Sequence, residues 1–121
     1  MKLDIVIKKV HQKLKRNNIK SALLDSEILL SKAINKSREF IILNQNHDIS
    51  KKEYDYLREM INQRTKGKPL AYITGKKFFW KYEFFINEKV LIPRPDTELI
   101  VEQVLKIYKK KNKISFLDIG F

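Results

Sequence analysis

Apolar positions recur at helical spacing along the first 75 residues and give way to aromatic, β-prone runs after Gly75. Ile7, Val10 and Leu14 stand at i, i+3 and i+7, one face of a first helix that Asn17-Asn18 ends. Ser21 is placed to cap a second helix. There Leu23, Leu30 and Ile34 share a face, Leu24 and Ile28 lie beside it, and Asn35 is the stop. Phe40-Ile41-Ile42-Leu43 is too short for periodicity to decide, and its place between helices makes it a short helix. Ser50 followed by Glu53 fits a capping box, in which hydroxyl and carboxylate each satisfy a free backbone N–H. Tyr54, Leu57 and Ile61 then mark a third long helix ending near Gly67. Pro69 suits the first position of one more turn, Leu70 to Thr74, closed by Gly75.

Beyond Gly75, Phe78-Phe79-Trp80 and Glu83-Phe84-Phe85-Ile86 predict a hairpin with Lys81-Tyr82 between its arms. Val90-Leu91-Ile92 reads as a short strand stopped by Pro93. Asp96 is placed to cap a further helix reaching Lys111, with Leu99, Ile100, Val104, Leu105 and Tyr108 on its apolar side. Its acidic start and basic end complement the helix dipole. Ile114 to Gly120 reads as a buried strand entering a glycine turn. The fold class is therefore mainly α: an N-terminal helical bundle, a β-hairpin, then one helix and one strand of an α/β unit.

Composition narrows the function classes. The 121 residues carry 43% hydrophobic side chains, enough for a core, and no cysteine. A disulfide framework, a thiolate metal site and a cysteine nucleophile are thereby excluded. No apolar run is long enough to span a membrane, and the N-terminus lacks the apolar core of a secretion signal. A cytoplasmic protein is the expectation. The net charge of +12 invites a nucleic-acid reading, but 21 of the 26 basic residues are Lys. Lys, Asn and Ile together make 45 of 121 residues, the bias an A/T-rich coding sequence produces. Nucleic-acid contact is thus expected to be weak or indirect.

Three segments carry the candidate chemistry: Gly67-Lys68-Pro69-Leu70-Ala71-Tyr72-Ile73-Thr74-Gly75; Phe79-Trp80 with Phe84 and Asn87; and Leu91-Ile92-Pro93-Arg94-Pro95-Asp96-Thr97-Glu98. With Phe116-Leu117-Asp118-Ile119-Gly120 downstream, this ordered set closely resembles the HemK/PrmC family, S-adenosylmethionine-dependent N5-glutamine methyltransferases of peptide-chain release factors. The resemblance is strongest from Gly67 to Leu105. It implies a helical N-terminal domain of the release-factor-binding type (1–74), a β-hairpin linker (75–92) and the start of a Rossmann-like methyltransferase domain (93–121). It also implies that Asp118 and Gly120 begin a cofactor loop of the form D-hydrophobic-G-x-G-x-G. Closely spaced glycines there let backbone N–H groups approach the cofactor. Pro93, Arg94, Pro95 and Thr97 would line or support the substrate and cofactor pocket.

The family's Asn-Pro-Pro-Tyr motif holds the substrate amide, a poor nucleophile that depends on positioning and hydrogen bonding. No Asn-Pro-Pro occurs here: the prolines are Pro69, Pro93 and Pro95, and Phe121 follows Gly120 directly. The resemblance therefore implies a truncated homologue, with no catalytic residue in this chain and no S-adenosylmethionine bound by it alone. The expected partner is a peptide-chain release factor. A lone parallel strand at 114–120 would have unpaired edges, so the segment 93–121 is expected to be mobile or to pack non-natively.

Plainer roles stand beside these. Pro93 to Asp96 also suits a rigid turn feeding a helix, and Arg94 a surface ion pair. The aromatic cluster could stack bases, but packing of a hairpin is the reading adopted. His11 and His47 have no partners at metal-ligand spacing, so no metal site is expected. Lys109 to Lys111 is read as a solvated helix end. Two other function classes remain: a non-enzymatic module that binds a release factor, and a small basic RNA- or ribosome-associated protein.

Overall fold

The computed structural model describes residues 1–119, which divide into two compact units, Met1–Gly75 and Lys76 onward. Five helices build the first: α1 (Leu3–Arg16), α2 (Ala22–Ile34), α3 (Arg38–Leu43), α4 (Lys51–Thr65) and α5 (Leu70–Thr74). Leu3, Val6, Val10 and Leu14 of α1 face Ala22, Leu29, Leu30 and Ile34 of α2 in one core. Ile41 of α3, Ile49, and Leu57, Met60 and Ile61 of α4 complete it. The chain start is strapped down: Ile49 N–H donates to the Met1 carbonyl at 3.0 Å, and Lys2 pairs with Asp48 at 3.0 Å. That pairing, chiefly the hydrogen bond from Lys2, lowers the Asp48 pKa from its ordinary 3.8.

Several helix ends follow their local chemistry. Ser50 Oγ accepts from Glu53 N–H at 3.1 Å, and the Glu53 carboxylate accepts from Ser50 N–H at 2.8 Å. The capping box is complete, and the Ser50 N–H holds the Glu53 pKa below its ordinary 4.5. Asn35 ends α2 at φ 55°, left-handed backbone that Asn tolerates. Gly75 closes α5 at φ 78°. Pro69 proves to be the N-cap of α5, one position before the expected one.

Helix α2 departs from expectation. Leu23 and Leu24 are exposed, whereas Asp25 and Ser26 are buried. The buried stripe runs through Ala22, Asp25, Ser26, Leu29, Leu30 and Ile34, which rotates Leu23 off the core. Ser21 makes no cap bond; its hydroxyl donates instead to Asp25 Oδ1 at 2.9 Å. Arg64 Nε of α4 donates to Asp25 Oδ2 at 2.9 Å, and another guanidinium nitrogen reaches the Lys68 carbonyl at 3.2 Å. A carboxylate 3% exposed is thereby held by a hydroxyl and a guanidinium, the condition under which a buried charge is tolerated.

The second unit holds strands β1 (Lys76–Phe79) and β2 (Tyr82–Phe85) and helix α6 (Pro95–Tyr108). The strands pair antiparallel in the register Lys77↔Phe84 and Phe79↔Tyr82, so the turn is Trp80-Lys81 rather than Lys81-Tyr82. Phe79 and Phe84 meet edge-on across the pair, with centroids 6.3 Å apart. Trp80 takes φ 59° at the first turn position. Positive φ there matches the twist of the strands, at a cost of about 1 kcal/mol for a residue with a Cβ.

The strand expected at Val90–Ile92 does not form. Val90 N–H donates to the Asn87 carbonyl in a turn, and Leu91 to Arg94 is irregular. Nor is 114–119 a strand: it is irregular and exposed, with Leu117 85% accessible. A strand needs a neighbouring strand for its N–H and C=O groups, and among the described residues neither segment is paired with one. Phe116 instead meets Tyr108 edge-on, centroids 6.1 Å apart.

Candidate functional site

The residues expected to support a pocket stand together at the start of α6. Arg94, not Asp96, is the N-cap, with extended backbone (φ −98°, ψ 143°), and Pro95 is the first helical residue. Proline needs no hydrogen-bond partner there and its fixed φ suits the helix. Thr97 N–H donates to the Arg94 carbonyl at 3.1 Å. Asp96 and Glu98 then place negative charge in the first turn, where the helix dipole favours it. Pro93 is half-buried, while Arg94, Pro95 and Thr97 are exposed.

Sequence reasoning missed one member of this segment. A Glu98 carboxylate oxygen accepts from the Trp80 backbone N–H at 2.8 Å, which joins the hairpin turn to the first turn of α6. The pairing spans 18 residues, and no local pattern announces it. Lys81 Nζ lies 5.5 Å from the Trp80 ring centre, a cation over an aromatic face at the hairpin tip.

Asp118 lies in the exposed irregular stretch after α6. No hydrogen bond or ion pair among the described residues links it to Pro93, Arg94, Pro95 or Thr97. Gly120 lies outside the described residues. Among those described, no group of three His, Asp or Glu side chains could hold a metal ion, and no helix is long and apolar enough to cross a membrane.

The first unit has its own surface feature. An open hollow of about 360 Å³ is lined by His11, Lys15, Asn18, Ile19, Lys20 and Ala22, where α1 turns into α2. Residues 5–24 carry six basic side chains and no acidic one. Exposed Leu23 and Leu24 follow directly in the chain.

Comparison with known proteins decides the family. A family model described as the PrmC N-terminal domain matches residues 6–75, within the first compact unit. The chain belongs to the PrmC family. It is 42% identical over 120 residues to the release factor glutamine methyltransferase of Buchnera aphidicola subsp. Schizaphis graminum, covering 99% of this chain and 42% of that protein. It is 45% identical over 104 residues to the release factor glutamine methyltransferase of Leptospira interrogans, covering 86% of this chain and 36% of that protein. A bifunctional methyltransferase of Rickettsia felis is 38% identical over 97 residues, 80% of this chain and 18% of its own. The chain thus spans about two fifths of the first of these relatives.

Proposed function

We propose that these 121 residues are the release-factor-facing part of a release factor glutamine methyltransferase, and that methyl transfer is carried by sequence outside them. Similarity along 99% of the chain, set against 42% of the relative's length, supports this reading. Residues 1–74 are the domain that meets the release factor, 75–92 the linker, and 93–121 the start of the methyltransferase domain. In the whole protein, S-adenosylmethionine would supply the methyl group and a glutamine side-chain nitrogen of the release factor would receive it. Asp118 and Gly120 would open the cofactor loop, and the Pro93–Thr97 segment would support the pocket from the start of α6.

The isolated chain contains no Asn-Pro-Pro to hold the acceptor amide. Its reading as an inactive methyltransferase is tested by titrating it calorimetrically with S-adenosylmethionine up to millimolar concentration. A methyl-transfer assay on a release factor runs alongside. No heat and no transfer are expected; saturable binding or transfer would overturn the reading.

The basic corner at His11, Lys15 and Lys20 favours a second reading, in which the chain binds a release factor without modifying it. Retention of a release factor on immobilised chain, weakened by Lys15→Glu and Lys20→Glu together, would support it. Failure to retain the factor would remove it.

A further inference from the structure

The bond between Glu98 and the Trp80 amide joins two elements 18 residues apart in the chain. The hairpin has one ladder of pairing, and a two-stranded ribbon is marginal by itself in water. No side chain of helix α6 is fully buried; Glu98, Val101, Val104 and Tyr108 are half-buried. Trp80 holds a left-handed backbone conformation that its side chain disfavours. A carboxylate accepting that amide at 2.8 Å offsets the disfavour at the strained residue itself. Its effect on α6 is directional. Successive helical residues turn by about 100°, so anchoring Glu98 fixes where Arg94 and Thr97 stand around the helix axis.

We infer that Glu98 is a positioning residue: its carboxylate latches the hairpin turn to the first turn of α6 and so sets the orientation of Arg94 and Thr97. The purpose of the latch, supporting a methyltransferase pocket, rests on the proposed function; the latch itself does not. Its chemistry also separates two carboxylates that sequence alone treats alike. Asp96 and Glu98 both complement the helix dipole, but only Glu98 has an N–H of the hairpin within hydrogen-bond distance.

The test is amide hydrogen exchange and nuclear Overhauser contacts in the whole 121-residue chain, for the parent, Glu98→Ala and Glu98→Gln. Alanine removes the acceptor. Glutamine keeps an acceptor oxygen at the same reach and removes only the charge. In Glu98→Ala the Trp80 amide is expected to exchange at least about tenfold faster, with loss of contacts between the turn and the first turn of α6. Contacts across the Lys77–Phe84 pair should persist. Glu98→Gln should return Trp80 exchange to within about threefold of the parent. Unchanged Trp80 exchange in Glu98→Ala, or a Gln variant that behaves like Ala, would overturn the inference. Loss of the Lys77–Phe84 contacts in Glu98→Ala would also overturn it, because Glu98 would then be needed for the hairpin to form at all. None of these readings depends on methyl transfer, so failure of the proposed function leaves the latch separately testable.

Discussion

Removing Arg64 should destabilise the helical unit far more than a partly exposed position suggests. Arg64→Ala leaves the Asp25 carboxylate, 3% exposed, with one remaining partner, the Ser21 hydroxyl. The bond from a charged donor contributes about 1.5–3 kcal/mol, and an uncompensated buried charge raises the total cost to about 3–5 kcal/mol. The part-buried guanidinium bond to the Lys68 carbonyl is lost as well. A unit of 75 residues has a total stability of about 4–11 kcal/mol, so this variant should stand near the edge of folding. Asp25→Leu with Arg64→Met removes both charges. It should recover most of the loss, since apolar replacement of a buried pair is often near neutral. Urea titration followed by far-ultraviolet circular dichroism measures all three proteins. If Arg64→Ala costs less than about 1 kcal/mol, the pair is solvated and the burial argument fails.

Other expectations follow from the same geometry. Ser50→Ala should cost about 1 kcal/mol in the same titration, because Glu53 N–H loses its cap. The depressed Glu53 pKa contributes stability that is present above 4.5 and lost as pH falls through the lower folded value. Carboxyl chemical shifts should therefore show Glu53 titrating below 4.5, and Glu53→Gln should flatten part of the acid limb of the stability curve. Leu29→Ala, at a fully buried core position, should cost about 2–5 kcal/mol, read as a shift in the urea midpoint. Amides of 114–119 should exchange near unstructured rates in the monomer, and slow exchange across the stretch would show a strand after all.

Local chemistry made much of the helical unit legible. Ser50 with Glu53, Asn35 and Gly75 each act within one turn of their own position, and the chain reads them there. Legibility ended where the deciding partner is distant in sequence. Asp25 belongs to the buried stripe because Arg64 waits 39 residues away, and that exchange turned Leu23 and Leu24 outward. The hairpin turn fell one residue early, at Trp80-Lys81, where the Trp80 amide meets Glu98, 18 residues on. Apolar runs at Val90–Ile92 and 114–119 looked like strands by composition, but composition supplies no neighbouring strand to pair with. At the start of α6, the rigid turn feeding a helix was legible in Pro93 to Asp96. The bond made by Glu98 was not, since an acidic first-turn residue has an ordinary reason to be there.

The strapped, self-contained core of the first unit also bears on how the chain is made. All its core side chains lie between Leu3 and Ala71, so none has to wait for a residue after Gly75 to be synthesised. Translation at about 5–20 residues per second takes several seconds to deliver that length. Helical folds dominated by near-neighbour contacts close in microseconds to milliseconds. The helical unit should therefore close as soon as α4 and α5 have cleared the ribosome, without waiting for any later segment to be made.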